Sequence, residues 1–184
     1  GTGINRSMYG RICKGYGMTV LGLDAYPNQA LVDEGLLTYV SKEELLKRAD
    51  LISLHCPLIM GDNGTYHLIN DETIALMEDT VMLVNTREPI IDPEALIRAL
   101  KQGKFHAVAL DVYEGEDNNV YTDKSDVAIT NDITARLQMF PQLVLTSHQD
   151  SLLVEALQAI AVVTMENARN FNEGNELGNA ECKA

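Results

Sequence analysis

The chain has 184 residues, of which 46% are hydrophobic, enough for one folded domain with a sizeable core. Fourteen Lys and Arg stand against 27 Asp and Glu, and the formal net charge of −13 opposes broad contact with nucleic-acid backbones or anionic lipid. No apolar run approaches the ~20 residues of a membrane span, the first residues lack the basic and apolar regions of a signal peptide, and Cys13, Cys56 and Cys182 have neither metal-ligand nor disulfide-framework spacing. These features exclude a disulfide scaffold and predict a cytoplasmic protein with reduced thiols, no metal, and neither a membrane nor a nucleic-acid partner.

In chain order, Gly1-Thr2-Gly3 reads as a phosphate-binding turn opening a helix. Short apolar runs follow at 18–23, 50–56, 81–85, 106–112 and 142–147. They are nearly continuous in Val, Leu and Ile, the pattern of parallel strands buried on both faces. Helical patterns separate them, with start signals at Ser41-Lys-Glu-Glu44, a capping box, and at Asp92-Pro93, a cap with proline at the first helical position. Segments 61–64 and 115–125 are polar and turn-rich, hence loops, and a long last helix covers about 151–171. Strands alternating with helices specify an α/β fold with a doubly wound parallel sheet, Rossmann-like. No strand precedes the Gly1 turn, so the sheet reads as truncated before its first strand, the central one of the order 3-2-1-4-5-6. Loss of a central strand leaves unpaired backbone groups on both neighbours unless something replaces it.

A G-x-G turn uses Gly1 to bend and Gly3 to let the backbone approach a pyrophosphate held at the N-terminus of the next helix. Asp24, 21 residues after Gly3 at the end of the second strand, suits an adenosine ribose diol and repels a 2′-phosphate, which favours NAD over NADP. A glycine turn followed by a surface aspartate is the plain alternative for these residues taken alone. Arg6 stands where the third glycine of the fingerprint belongs.

The run 1–28, then His55-Cys56-Pro57-Leu58, Val84-Asn85-Thr86-Arg87, Asp111-Val-Tyr-Glu-Gly-Glu116 and Ser147-His148-Gln149 follow one another in an order that resembles the D-2-hydroxyacid dehydrogenases. Within that family the pattern is most similar to the fermentative D-lactate dehydrogenases, on the strength of 111–148 with Asp123-Lys-Ser125 and a helix at 131–140. The resemblance implies that residues 1–147 are an NAD-binding domain lacking its first strand. It implies that 148–184 are a C-terminal helix and tail that return toward a substrate domain. It makes Arg87 the grip on a substrate carboxylate, His148 the acid/base and Glu116 its partner. Gly1, Thr2, Gly3 and Asp24 would bind the cofactor, Asn85, Thr86 and Asp111 would lie beside the nicotinamide, and His55 and Pro57 would border the cleft. It also implies a homodimer or higher homo-oligomer and a small 2-oxo or 2-hydroxy acid as substrate.

The residue types suit that chemistry. A guanidinium binds a 2-oxo acid bidentately, and an imidazole with a carboxylate beside it stays protonated near neutrality and can act as an acid. His67 and His106 carry only a structural reading, and Cys56 reads as a small buried hydrophobe before a thiol near the cofactor. Three residues depart from the family pattern: Arg6, Glu88 in place of a glycine after Arg87, and Asp150 beside the acid/base. Two functions therefore stand: the NAD-binding part of an oxidoreductase reducing pyruvate or a similar 2-oxo acid, or a non-catalytic NAD-binding or dimerisation module that kept the fold.

Overall fold

The apolar runs between residues 51 and 145 pair side by side as parallel strands in a computed structural model, which describes residues 4–61, 64–86, 90–114, 132–146 and 149–175. The strands are β1 (Leu21–Gly22), β2 (Thr38–Tyr39), β3 (Leu51–Leu54), β4 (Val81–Asn85), β5 (Phe105–Leu110) and β6 (Leu143–Leu145). They form two sheets: a pair β1-β2, and a four-stranded sheet of order β3-β4-β5-β6. Every pairing is parallel, so each connection crosses over through a helix. The helices are α1 (Ile4–Gly15), α2 (Gln29–Asp33), α3 (Lys42–Arg48), α4 (Asp71–Ala75), α5 (Pro93–Lys101) and α6 (Asp132–Gln138). The doubly wound α/β reading holds, with no ladder between β1 and β3 among the described residues.

Local chemistry explains the helix starts. Asp92 accepts hydrogen bonds from the backbone N–H of Glu94 and Ala95, with Pro93 in the first turn. Ser41 Oγ accepts from Glu44 N–H at 3.1 Å, while the Glu44 carboxylate turns outward to pair with Arg48. A full capping box stands instead at Asn70 and Thr73, opening α4. Helix α1 ends through Gly17, whose φ of +80° lets Met18 N–H turn back to Cys13 O.

The main core lies in the four-stranded half, where Val81, Leu83, Ile90, Ala95, Ile97 and Leu137 are fully buried. Strand burial alternates there. Val81, Leu83 and Asn85 of β4 are buried while Met82 and Val84 are only half covered, and β3 repeats the pattern. The continuous apolar runs predicted burial on both faces; one face is closed and the other stays half-exposed within this unit. A second cluster of Leu31, Leu36 and Leu37 underlies β1 and β2.

Two strand assignments differ from the sequence reading. The run at 18–23 forms a ladder only at Leu21–Gly22, and β2 was not anticipated, because a strand of two residues is too short to show a periodicity.

The chain divides into two units, Gly1–Ser147 and His148–Ala184. The described residues of the second form a 3₁₀ turn (Gln149–Leu152) and α7 (Val154–Glu173), which stops at Gly174 with φ of +71°. Among the described residues no helix is long and apolar enough to cross a membrane.

Candidate functional site

In a parallel sheet the side chains just past the strand C-termini share one edge, and that edge is where open α/β sheets collect ligands. Asn85 closes β4 and is 1% exposed; Asp111 follows β5 and is 6% exposed. Backbone bonds carry the ladder past the strand ends: Asp111 N–H donates to Asn85 O at 2.8 Å, and Thr146 N–H to Leu110 O at 3.0 Å. Side chains lace the same edge. Asn85 Nδ2 donates to Val112 O at 3.0 Å, and Thr146 Oγ1 donates to Asp111 Oδ1. Asn85 and Asp111 are thereby brought together and held in one orientation, and Thr86 stands half-buried beside them. Thr146 was not singled out from the sequence, although it stands one residue past β6 as Asp111 stands one residue past β5.

His55 follows β3. Its Nε2 lies 2.8 Å from Ser53 Oγ, and its ring is tilted 59° to that of Tyr9 at 5.8 Å. Ser53 sits two residues back, on the same face of the strand, a period-two relation visible in sequence. Burial and the neighbouring Cys13 thiol push the Tyr9 phenol up. Pro57 is exposed, and its carbonyl accepts the Thr65 hydroxyl, which closes the loop that follows.

Across this edge His67 Nε2 meets Glu114 Oε2 at 2.6 Å. Tyr66 stacks on the imidazole at 3.8 Å, and its hydroxyl donates to Glu114 Oε1 at 3.4 Å. Desolvation and the Glu114 carboxylate push the Tyr66 phenol up. His67 adopts φ of +50°, a left-handed conformation that side chains other than glycine rarely take. The cluster ties the loop after β3 to the loop after β5, two residues before Glu116.

Asp24 stands two residues beyond β1, half-buried, with Oδ1 accepting Tyr26 N–H at 3.0 Å in a local turn. Gly1, Thr2, Gly3, Arg87, Glu116 and His148 lie outside the described residues, as do Glu88 and the side chains of Arg6 and Asp150.

The residues present fit a dinucleotide. Helix α1 is 12 residues long with no acidic residue in its first turn, which leaves the positive end of its dipole for a pyrophosphate. The carboxylate of Asp24, past the end of β1, matches a ribose diol.

Residues 1–149 match the family model described as the D-isomer specific 2-hydroxyacid dehydrogenase, NAD binding domain. The D-lactate dehydrogenase of Escherichia coli (strain K12) is 40% identical over 165 residues, covering 89% of this chain and 49% of that protein. Among solved structures, the pyruvate reductase of Chlamydomonas reinhardtii matches with a TM-score of 0.89 and 36% identity, over 97% of this chain and 54% of that one. The D-lactate dehydrogenase from Aquifex aeolicus, complexed with NAD and lactic acid, matches with a TM-score of 0.84 and 32% identity, over 95% of this chain and 52% of that one. The chain spans about half the length of the curated relatives it matches. A match over 149 residues, together with that identity, means that the chain belongs to the D-isomer-specific 2-hydroxyacid dehydrogenases and carries their NAD-binding domain.

Proposed function

We propose that this chain is the cofactor-binding half of an oxidoreductase that reduces pyruvate or a similar 2-oxo acid with NADH. The observation that carries the reading is the hydrogen-bonded edge formed by Asn85, Asp111 and Thr146. In the sequence Arg87 follows Asn85 by two positions and Glu116 follows Asp111 by five. In this proposal Gly1, Thr2 and Gly3 wrap the pyrophosphate, Asp24 selects NAD through the ribose, and His55 and Pro57 border the cleft.

Bound NADH supplies the hydride. The chain supplies the rest: the Arg87 guanidinium grips the substrate carboxylate through two charge-assisted hydrogen bonds, and the His148 imidazolium gives its proton to the ketone oxygen. Glu116 beside the imidazole favours the charged form and keeps it an acid near neutrality. Residues 148–184 return toward the other half of the cleft, and the protein works in the cytoplasm as a homodimer or larger homo-oligomer.

A chimera joining this chain to the remaining half of the Escherichia coli relative tests the roles. Arg87→Ala lowers kcat/KM for pyruvate by about 10²–10⁴, since both hydrogen bonds vanish. His148→Ala lowers kcat by a similar factor through lost proton transfer, and Glu116→Gln moves the pH profile of reduction to lower pH. Unchanged steady-state kinetics in all three variants would remove the assignment.

A further inference from the structure

Gly22 of β1 and Tyr39 of β2 are register partners, so their side-chain positions share one face of the small sheet. Glycine leaves its position empty and the tyrosine ring fills the space: a Cβ at Gly22 would lie 3.1 Å from Tyr39 Cε1 and 3.2 Å from Cδ1. The ring packs on the cluster of Leu31, Leu36 and Leu37, and its hydroxyl reaches beyond the end of β1, where it accepts Asn28 N–H at 2.9 Å. A side chain of the second strand thus holds the loop that leaves the first.

That loop is short and stiff. Asn28 caps α2, its Oδ1 accepting Ala30 N–H at 3.1 Å, so the residue is fixed through its backbone by Tyr39 and through its side chain by the helix. Just before it, Pro27 locks its own φ near about −65° and keeps Tyr26 out of the helical region. Tyr26 N–H donates in turn to Asp24 Oδ1 at 3.0 Å. The orientation of the Asp24 carboxylate therefore runs through Tyr26 and Pro27 to Asn28 and ends on the Tyr39 hydroxyl. Packing contributes little at this point, since Tyr26 is 89% exposed and Asp24 only half-buried.

We propose that Tyr39 is a positioning residue for cofactor selection: its hydroxyl holds residues 24–28 so that the Asp24 carboxylate stands in register for the ribose diol of NAD and against the 2′-phosphate of NADP. The inference rests on the reading of Asp24 as the ribose ligand. A carboxylate accepts several hydrogen bonds at once, so Asp24 can keep Tyr26 N–H and still take both ribose hydroxyls, provided that its plane is fixed. The same fixed charge is what a 2′-phosphate meets at close range. A loop that drifts loses bonds to the diol and draws the charge back from the phosphate, so the two nucleotides respond in opposite directions.

The test is Tyr39→Phe in the full chain, which removes the hydroxyl and keeps the ring over Gly22. Without nucleotide, amide exchange should quicken by about threefold or more at Tyr26 as well as at Asn28, because the loss is passed along the loop. In titration calorimetry NADH affinity should fall by about threefold to tenfold, the worth of one hydrogen bond, while NADPH affinity holds or rises. In the Asp24→Ala background the same substitution should have no further effect on either nucleotide. Unchanged exchange at Tyr26, equal losses for the two nucleotides, or losses that add to those of Asp24→Ala would overturn the proposal, the last two by reducing Tyr39 to a structural support. Asp24→Ala alone separates the two readings: if it changes neither affinity, the ribose role of Asp24 fails, and if it changes them while Tyr39→Phe does not, only the role of Tyr39 fails. Gly22→Ala, whose methyl group meets the ring and displaces the hydroxyl, should narrow the preference for NADH by a smaller factor. It decides the matter if Tyr39→Phe does not fold, and a preference left unchanged or widened there would overturn the proposal.

Discussion

The two sheets of the first unit are built from similar residues and end in very different states. The β3–β6 sheet rests on a cluster of nineteen buried residues, the β1–β2 pair on three, Leu31, Leu36 and Leu37. The difference lies in neighbours more than in composition. Strands β4 and β5 each have two ladder partners and run five and six residues, whereas β1 has one partner and only Leu21 and Gly22 in register. A parallel strand is held by pairing on both edges and burial on its faces, and among the described residues β1 is paired on one edge. The candidate site straddles the two regimes: Asn85 and Asp111 sit on the firm sheet, and Asp24 on a local turn beyond the small one.

The comparison breaks most visibly in the cores. Leu83 is fully buried at the centre of β4, so Leu83→Ala leaves a cavity walled by paired strands and costs about 2–5 kcal/mol. Leu31→Ala, in a three-residue cluster whose Leu36 and Leu37 line a cavity of about 190 Å³, should fall at or below the lower end of that range, because its surroundings can close in. Denaturant unfolding of both variants measures the gap. Equal losses would mean that the two sheets unfold as one cooperative body.

At the site the same contrast predicts a split between stability and binding. Thr146→Val removes the hydroxyl donated to Asp111, a buried carboxylate, and should cost about 1.5–3 kcal/mol of stability. Asp24→Ala breaks only a turn at the margin of the small sheet, so its effect should appear in the cofactor. NADH affinity falls about tenfold, roughly 1.4 kcal/mol, while repulsion of NADPH is relieved. Titration calorimetry with both nucleotides checks this, and equal NADH affinity in variant and parent would take Asp24 out of the site.

How much of this was legible in the sequence follows the same division. The run at 81–85 is β4 residue for residue, and the 106–112 run overlaps β5 but starts one residue late and ends two late, because two-sided pairing and burial make long apolar runs. The small sheet was harder. Its first strand is much shorter than its apolar run, and Thr38–Tyr39 has no periodicity to detect. The pairing of His67 with Glu114 was not legible at all: the residues are 47 apart in sequence, and only the parallel register of β3, β4 and β5 brings their loops together.

The smallest expected effect concerns two ion pairs that reinforce only the firm half. Arg98 Nη2 lies 2.6 Å from Asp71 Oδ2, linking α5 to α4, and Arg136 Nη1 lies 2.7 Å from Glu94 Oε1, linking α6 to α5. Hydrogen bonds from the guanidinium hold the Asp71 and Glu94 carboxyls below the usual carboxylate range. A depressed folded pKa means that the unfolded chain takes up protons first. The contribution of these pairs is therefore complete above the ordinary carboxylate value of about 4 and is lost as pH falls through the folded values. Both pairs are substantially exposed, so solvent and salt keep the contribution small at any pH. The double variant Asp71→Asn, Glu94→Gln should be slightly less stable than the parent at pH 7 and indistinguishable from it in acid, with the difference also shrinking in high salt. A difference that stays constant from neutrality into acid would show that the two substitutions act through packing, and that α4, α5 and α6 owe nothing to these charges.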